Sequence, residues 1–434
     1  MKLFATQVSV LLLLSLSNSA LGQTQRLLVE GATIIDGTGH PAQPGMQLLV
    51  SGTRIERIGA VGSFAAPPDA KTINAAGKTV LPGFFDAHFH IADDVTLVPA
   101  FVARGITSAR DPGAWMELFE PVKKWQNEHH VPAPRLFLCG PHLDGPGPAY
   151  PTDSVVILSP PEARRLVQKQ VGHGATAIKV YFRLPLESIR ATSEEAHRLG
   201  VPVTAHLEIV DPRDAVEAGI DGIEHITSLG IALIPPMEAE RYRQAILKDN
   251  NARREGRYRM WAGVDPESPR AIELARFLAK HQTYVDPNLA VFERRPGDEE
   301  ENIEIQAKGF RNMLAYVGVL HREGVPIVVG SHSNVPHAPR GLAYHREMEL
   351  LVEAGMTPME VLVAATRTGA RFFQRERDLG TIEEDKLADL VILDGNPLED
   401  IRTTRNVVTV IVDGRELDPA AILKLTPPAP AGKN

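Results

Sequence analysis

The chain has 434 residues, of which 43% are hydrophobic, so it can bury the core of one barrel and of a smaller domain. Its formal net charge of −8 and the lack of a basic block argue against nucleic acid or an anionic membrane as a partner. We therefore expect a small-molecule or short-peptide substrate. The single cysteine, Cys139, excludes an intrachain disulfide.

The N-terminus has the pattern of an export signal. Met1-Lys2 is followed by a leucine-rich apolar stretch, Val8–Leu16, and by the small-residue site Ala20-Leu-Gly22. This pattern predicts a cleavable signal peptide over residues 1–22 and an exported protein, periplasmic or secreted. The apolar run is too short to span a bilayer comfortably, so we expect no stable membrane insertion after cleavage.

Two flanking regions have the composition of short strands. Residues 23–82 and 379–423 both contain alternating apolar residues broken by glycine-rich turns. Gly37, Gly39 and Gly52 indicate turns rather than a phosphate-binding loop, since no helix start follows them. Residues 424–434 are expected to form a flexible tail.

Eight short apolar segments lie between residues 83 and 378 and alternate with helix-like sequence such as Leu186–Leu199. This alternation predicts an α/β fold of parallel βα units, as in a (β/α)8 TIM barrel. In such a barrel the C-terminal ends of all the strands meet on one face. The predicted strands are Phe84–His90, Thr107–Arg110, Leu136–Cys139, Ala177–Phe182, Pro202–Leu207, Gly222–Ile226, Thr283–Asp286 and Ile327–Ser331.

Five candidate metal ligands lie in these segments. His88 and His90 end an apolar run two residues apart, and the alternation of side chains along a strand turns both to the same side. Lys179, His206 and His225 lie in three later segments. Because the ends of different strands converge, all five side chains are expected at one site.

Seven motifs follow one another along the mature chain: Gly31-Ala-Thr-Ile-Ile-Asp-Gly-Thr-Gly39, Pro82-Gly-Phe-Phe-Asp-Ala-His88, Gly105-Ile-Thr-Ser-Ala-Arg-Asp111, Ile178-Lys-Val-Tyr181, Glu195-Ala-His-Arg-Leu-Gly-Val-Pro-Val203, Ala354-Gly-Met-Thr-Pro358 and Leu387-Ala-Asp-Leu-Val-Ile-Leu-Asp394. Together they resemble the amidohydrolase superfamily, in its imidazolonepropionase-like and prolidase-like branch. The resemblance implies a metal-dependent hydrolase barrel over residues 83–378. It also implies that residues 23–82 and 379–423 pair into a composite β-sandwich beside the barrel.

The resemblance further implies roles for the candidate ligands. His88 and His90 are expected to bind the more buried of two divalent ions, with zinc favoured, and His206 and His225 to bind the second. Lys179, converted to a carbamate by carbon dioxide, is expected to bridge them, because a carbamate offers two anionic oxygens on a long arm. Two ions that share a water lower its pKa and polarise the scissile carbonyl.

Other residues are expected near the mouth of the barrel. His142, after the third strand, and Tyr181, beside Lys179, are candidates for polarising the substrate carbonyl or for binding substrate. A packing role is the alternative for each. Arg110 and Asp111 are interpreted as an ion pair within the barrel.

One position departs from the family pattern. The eighth strand of the family ends in Gly-Thr-Asp, and its aspartate contacts the buried metal and transfers the proton, whereas this chain has Gly330-Ser-His332. Imidazole can ligate a metal or act as a base, but its two nitrogens diverge. Three hypotheses remain open: a hydrolase in which His332 handles the proton differently, a hydrolase whose base is His142 or His337, and a metal-binding protein with little or no catalysis.

The expected reaction is cleavage of a C–N amide or peptide bond, in a dipeptide, an N-acyl amino acid or a cyclic amide. The sequence leaves the oligomeric state open, with a homo-oligomer included. The long connection Thr227–Gln282 contains a polar helical run, Pro236–Met260, that either caps the site and recognises a carboxylate or, in the favoured interpretation, is a solvated charged helix. The arginines considered for such recognition are Arg241, Arg253, Arg254 and Arg257.

Overall fold

The computed structural model describes residues 25–120, 122–124 and 132–425. The predicted signal peptide and most of the predicted tail lie outside these residues, so export stays a prediction. Among the described helices, none is long and apolar enough to cross a membrane. Cys139 is buried and forms no disulfide, as expected for a lone cysteine.

The strands of the described chain are β1 (Arg26–Ile34), β2 (Gln43–Ser51), β3 (Arg54–Ala60), β4 (Lys71–Asn74), β5 (Lys78–Pro82), β6 (Phe84–Asp86), β7 (Ile106–Asp111), β8 (Arg135–Leu138), β9 (His142–Asp144), β10 (Ser154–Val156), β11 (Ile178–Val180), β12 (Val203–His206), β13 (Gly222–Glu224), β14 (Tyr284–Asp286), β15 (Leu390–Asp394), β16 (Val407–Val412) and β17 (Arg415–Leu417). The α-helices are α1 (Val98–Ala103), α2 (Pro160–Gly172), α3 (Leu186–Arg198), α4 (Pro212–Glu217), α5 (Pro236–Lys248), α6 (Ala252–Ala262), α7 (Pro269–Lys280), α8 (Leu289–Phe292), α9 (Ile303–Arg322), α10 (Ala343–Glu353), α11 (Pro358–Val363), α12 (Gly369–Phe372) and α13 (Pro419–Leu425).

Both ends of the described chain contribute to one mixed sheet, in the order β17-β16-β15-β5-β1-β2-β3, with β4 paired to β1. In this sheet β15 runs antiparallel to β5, with Val391 opposite Leu81. A β-bridge between Arg54 and Leu387 joins the outer strand β3 to the segment just before β15. The described strands of both flanking regions therefore belong to one hydrogen-bonded sheet. Its core includes Leu27, Val50, Ile55, Val80, Leu390 and Ile411.

The middle of the chain forms parallel strands, in a three-stranded sheet β6-β7-β8 and a six-stranded sheet β10-β9-β11-β12-β13-β14. The predicted eighth strand, Ile327–Ser331, is not a continuous strand in the structure. It nevertheless contacts both sheets, because Ile327 bridges to Val285 of β14 and His332 bridges to Phe89 just after β6.

The other edges of the two sheets also meet. Thr176 N donates to Leu138 O at 2.9 Å, and Val180 of β11 pairs with Leu143 of β9. The strands of both sheets are parallel, and the parallel α/β prediction is confirmed. The regular strands are shorter than predicted, since β6 ends at Asp86 rather than at His90.

The connection between β13 and β14 folds into helices α5, α6 and α7, so the predicted polar helical run corresponds to α5 and most of α6. Helix α7 begins where Ser268 Oγ accepts a hydrogen bond from Ala271 N at 3.4 Å, with Pro269 in the first turn. Trp261, near the end of α6, is fully buried and lies 5.8 Å from Tyr316 of α9 between ring centroids. This apolar contact holds the connection against the rest of the fold.

A charged contact joins the mixed sheet to the parallel strands. Arg135 of β8 pairs with both Asp389 and Asp413, with its Nη2 atom 3.1 Å from Asp389 Oδ1. The Asp389 side chain is only 1% exposed, so its charge depends on this arginine. The contact fixes the edge of the barrel strands relative to the end of β16.

The turn between β16 and β17 leaves no room for a side chain at Gly414, where φ is +71° and a Cβ atom would lie 1.7 Å from Gly52 O. Alanine there should cost about 1–2 kcal/mol for the left-handed backbone and about 1–3 kcal/mol more for the clash. We therefore expect Gly414→Ala to lower the melting temperature measured by calorimetry. Gly77→Ala is the matched control, because Gly77 has a φ of +74° but no described non-adjacent atom within 4 Å of its Cβ position. Equal melting temperatures for the two variants would contradict the close approach at Gly414.

Candidate active site

Five histidines from different segments form one cluster of rings at the C-terminal ends of the parallel strands. The ring centroid of His225 lies 4.5 Å from that of His206 and 5.0 Å from that of His332. His332 in turn lies 5.0 Å from His90 and 4.9 Å from His88. The structure therefore brings together the four histidines predicted as ligands, and it places His332 in the same cluster.

This cluster, which we call the histidine cluster, has the donors that a divalent cation needs. Ring nitrogens of His88, His225 and His332 lie within 4.8 Å of one another. Both ring nitrogens of His225, and Nδ1 of His206, are buried without a hydrogen-bond partner among the described atoms. Buried polar atoms are normally paired, and imidazole nitrogens are good ligands for zinc and similar metals. The residues present therefore fit a bound metal.

Burial keeps these imidazoles uncharged. Desolvation lowers the pKa of His90 to about 4, and it lowers the pKa of His206 to about 4 despite the contact of that ring with Glu208. The pKa values of His88 and His225 are lowered further, by burial first and by neighbouring histidines second. A neutral imidazole keeps the lone pair with which it binds a metal.

A buried ion network adjoins the histidine cluster. Lys179 is 1% exposed and contacts the carboxylate of Glu224. The other contacts of Glu224 are Arg110 Nη2, 2.6 Å from Oε1, and His88 Nδ1, 3.1 Å from Oε2. Burial lowers the pKa of Lys179 well below its usual value, and the charge of Arg110 acts in the same direction. Glu224 therefore links the predicted bridging lysine to a predicted ligand.

Arg110 forms a buried ion pair, as predicted, but its partner is not the predicted Asp111. Arg110 forms its buried ion pair with Glu224, while Asp111 accepts the backbone N–H groups of Gly113 and Ala92 at 3.0 and 3.2 Å. Asp111 lies at the end of β7, and its carboxylate binds the backbone of its own loop and of the segment that follows β6.

Two acids of the site are not singled out by the sequence motifs. Glu224 precedes His225 at the end of β13, and Asp286 ends β14 with its Oδ2 atom 3.5 Å from His88 Nδ1. Burial raises the pKa of Asp286 well above its usual value. The sequence feature that could have identified both residues is their position at the C-terminal end of a predicted barrel strand.

His332 is held firmly among the other histidines. Its φ is +66°, and its carbonyl accepts a hydrogen bond from His90 N at 3.0 Å. Its Nδ1 atom lies 3.2 Å from Ser333 Oγ, and its ring is nearly parallel to that of His88, at 14°. The preceding Ser331 donates to Asp86 from its backbone N at 3.0 Å and from Oγ at 2.5 Å. Of the two ring nitrogens, Nε2 is thus the one left for the cluster.

His142 and Tyr181 lie beside the histidine cluster, as predicted for residues that contact substrate. Their rings stack 4.7 Å apart at an interplanar angle of 24°, and Tyr181 lies 4.7 Å from His206. Both side chains are buried. His337, the other candidate base, is engaged elsewhere, with its Nε2 atom 3.0 Å from Asp298 Oδ2.

The four arginines considered as part of a cap differ in exposure. Arg241 and Arg254 are exposed, Arg257 is half-buried, and Arg253 is only 3% exposed. The favoured interpretation of a solvated charged helix holds for the first two residues and is wrong for Arg253. That side chain is turned inward, where its Nη2 atom donates to the hydroxyl of Tyr150 at 3.0 Å.

The model of the amidohydrolase family matches residues 79–417. The chain belongs to this family. The amidohydrolase is 26% identical over 275 residues to ochratoxinase of Aspergillus niger, an alignment that covers 59% of this chain and 48% of that protein. It is 37% identical over 117 residues to N-acyl-D-aspartate deacylase of Alcaligenes xylosoxydans xylosoxydans, which covers 26% of this chain and 22% of that protein. The chain thus aligns with less than half the length of each of these relatives.

Solved structures share the fold of this amidohydrolase. The crystal structure of A. niger ochratoxinase superposes with a TM-score of 0.68 at 19% identity, covering 92% of this chain and 96% of that one. A Xaa-Pro dipeptidase with bound methionine gives a TM-score of 0.70 at 22% identity, covering 91% of this chain and 100% of that one. At these identities the likeness concerns the fold.

The buried pair of Arg110 and Glu224 should dominate the stability of the site. Glu224→Gln leaves the guanidinium of Arg110 without a counter-charge, which should lower the free energy of unfolding by about 3–5 kcal/mol. Urea unfolding of the metal-free protein measures the change. Glu194→Gln is the matched control, because its pair with Arg164 is exposed and should contribute less than about 1 kcal/mol.

Removal of the second charge should restore part of this loss, so the double variant Arg110→Met with Glu224→Gln is expected to be more stable than Glu224→Gln alone. If Glu224→Gln lowers the free energy of unfolding by no more than Glu194→Gln does, the buried pair does not stabilise the site.

Proposed function

We propose that this amidohydrolase is a metal-dependent hydrolase that cleaves a C–N amide or peptide bond. The observation that carries the proposal is the gathering of five histidine rings around unpaired buried nitrogens, on a chain of the amidohydrolase family. Relatives named as a deacylase and a deformylase support a reaction at a C–N bond. The proposed scaffold is a closed (β/α)8 barrel, which the bridges at Ile327 and His332 support.

In this proposal His88 and His90 hold one divalent ion and His206 and His225 hold a second, with zinc favoured. Lys179, as a carbamate, spans the two. When bound, the ions supply a water of lowered pKa and a Lewis acid for the carbonyl. The buried ring nitrogens of His206 and His225 without partners support this set of ligands.

His332 moves the proton in this proposal. Because its Nδ1 atom contacts Ser333 Oγ, the Nε2 atom takes the proton from the attacking water and returns it to the leaving nitrogen. His142 presents Nδ1, which has no hydrogen-bond partner among the described atoms, to the substrate carbonyl. The hydroxyl of the neighbouring Tyr181 contacts the substrate.

A metal-binding protein with little or no catalysis is the second candidate, and the observation that favours it is His332 itself. A carboxylate offers two oxygens on one side, whereas the two nitrogens of imidazole cannot both face the reacting water. A base elsewhere is a further hypothesis, for which His142 beside the cluster is better placed than His337 at Asp298. We favour catalysis because the structure keeps all five other metal-site candidates together.

We infer a small substrate of the dipeptide, N-acyl amino acid or cyclic amide class. The formal net charge of −8 argues against nucleic acid as a partner. Export through a signal peptide at residues 1–22 belongs to the same proposal, as does a periplasmic or secreted site of action. The proposal is compatible with a monomer or a homo-oligomer.

The purified protein should bind about two divalent ions per chain, and Lys179→Ala should lower that number and abolish hydrolysis because the bridge is lost. Added short carboxylic acids should restore part of both by occupying the place of the carbamate. Elemental analysis and rates on a panel of acyl dipeptides, cyclic amides and lactones measure these effects. Lys169→Ala, at an exposed lysine of α2, is the matched control.

Two results would count against the metal assignment. Less than about half an equivalent of any transition metal after zinc reconstitution would exclude a binuclear site. Full metal content and full activity in Lys179→Ala would exclude the carbamate.

His332→Asp tests the role of the histidine. A positioned acid/base group contributes roughly 10²–10⁴-fold to the rate. A compromised proton shuttle therefore predicts a higher kcat for the variant, and a mechanism rebuilt around imidazole predicts a lower kcat with a shifted pH profile. We expect an active but slow wild type and a change of at least about tenfold in one direction.

His337→Asp is the control, because that side chain is engaged with Asp298. Values of kcat for wild type and His332→Asp within about twofold of each other would show that position 332 does not handle the proton. Inactivity of both forms with metal fully bound would favour the binding protein.

A further inference from the structure

Helix α6 presents two arginines to the histidine cluster. Arg253 and Arg257 are four residues apart, so they lie on the same face of the helix. The Cζ atom of Arg253 lies 5.4 Å from the ring centroid of Phe182 and 5.5 Å from that of Tyr150. The Cζ atom of Arg257 lies 5.3 Å from the ring centroid of Phe292.

These aromatic rings adjoin the predicted metal ligands. The ring centroid of Phe182 lies 5.9 Å from that of His206, and the centroid of Phe292 lies 6.1 Å from that of His225. Each arginine is therefore separated from a predicted ligand by one aromatic ring. That spacing places the guanidinium groups within reach of a small molecule held at the cluster.

Arg253 carries a buried charge with no acidic partner. It is 3% exposed, and no carboxylate among the described residues forms an ion pair with it. Its Nη1 atom donates to Asn250 O at 2.8 Å and its Nη2 atom donates to Tyr150 Oη at 3.0 Å, while Nε has no described partner. The two aromatic faces offset part of the cost of burying the charge. An anion is still needed to offset the rest.

The neighbouring acid does not supply that anion. Glu208 is buried, and its carboxylate contacts His206 Nε2 at 3.1 Å and the hydroxyl of Tyr242 at 2.6 Å. Both of its oxygens are therefore hydrogen-bonded to other groups, and its charge favours the charged form of Arg253 without a direct ion pair. The unmatched charge and the open Nε donor together indicate a ligand that brings its own negative group.

We propose that Arg253, supported by Arg257, binds the carboxylate of the substrate and so selects N-acyl amino acids and peptides with a free carboxylate next to the scissile amide. The inference rests on the proposed hydrolase function and narrows its substrate class. The fork of the guanidinium matches a carboxylate, and a substrate anchored there places the adjacent amide at the histidine cluster. A neutral amide or an uncharged cyclic amide leaves Arg253 uncompensated.

The test compares matched pairs of ligands, namely N-acetyl-phenylalanine, N-acetyl-methionine and N-acetyl-aspartate, each beside its α-carboxamide. The metal-loaded full-length wild type should hydrolyse the acid with a kcat/KM about 10- to 100-fold higher than that for the carboxamide. A hydrogen bond to a charged group contributes a free energy that corresponds to this factor. Arg253→Met should remove this preference by raising KM for the acid, with little change for the carboxamide. Arg257→Met should reduce the preference by a smaller factor.

A second readout does not depend on turnover. The acid should raise the melting temperature of the wild type more than its carboxamide does, because a ligand that binds the native state stabilises it. Arg253→Met should abolish this difference. Arg254→Met is the matched control, since Arg254 is the exposed neighbour on the same helix and should leave both readouts unchanged.

The possible failures are distinguishable. A wild type that hydrolyses neither member of any pair, yet is stabilised by the acid only, overturns the proposed function and supports the carboxylate site. Equal hydrolysis of acid and carboxamide supports the hydrolase and overturns the inference about Arg253. An Arg253→Met protein that is merely less stable, with an unchanged preference for the acid, shows that the side chain is a structural contact. If that variant does not fold, an unchanged preference in Arg257→Met overturns the inference.

Discussion

The buried charge of Arg110 is the constraint on which the site depends. From β7 its guanidinium donates to Ala87 O at 2.7 Å, to Thr204 Oγ1 at 3.1 Å and to Glu224 Oε1 at 2.6 Å, and so it joins three other strand segments. The second oxygen of Glu224 contacts His88 and the predicted bridging lysine. A guanidinium withdrawn from water is satisfied only when these strands are in register. The position of the ligands is therefore tied to the packing of the barrel interior.

A second buried carboxylate fixes the position that departs from the family pattern. Asp86 accepts hydrogen bonds from the backbone N–H of His88 at 3.1 Å and from that of Ser331 at 3.0 Å, so it links the first strand segment to the eighth. His332 follows directly, and its backbone N–H donates to His88 O while its carbonyl accepts from His90 N. The order around His332 thus comes from the backbone of the neighbouring strand segments. Because Nδ1 of His332 contacts Ser333 Oγ, Nε2 is the ring nitrogen left for the histidine cluster.

The sequence motifs predict the parts of the site that depend on local pattern. The spacing of His88 and His90, and the apolar segments that carry the other ligands, are local, and the structure brings these residues together. Glu224 and the burial of Arg253 escaped prediction because they depend on partners far away in the chain. Nothing in the local pattern of α6 distinguishes buried Arg253 from exposed Arg254. The contact between the two edges of the end sheet escaped for the same reason, since it is a bridge between residues 54 and 387.

The histidine cluster and the buried arginine of α6 are held in place by different parts of the fold. The histidine cluster lies at strand ends that Arg110, Asp86 and Glu224 tie together across the barrel, so a change there disturbs several strands at once. Arg253 and its neighbours belong instead to a helical connection between two strands, held by apolar contacts such as that of Trp261 with Tyr316. A substitution on the inner face of α6 can therefore alter the charge beside the histidine cluster while the buried ion network stays intact. The proposed carboxylate site and the proposed metal site can thus be changed separately by mutation.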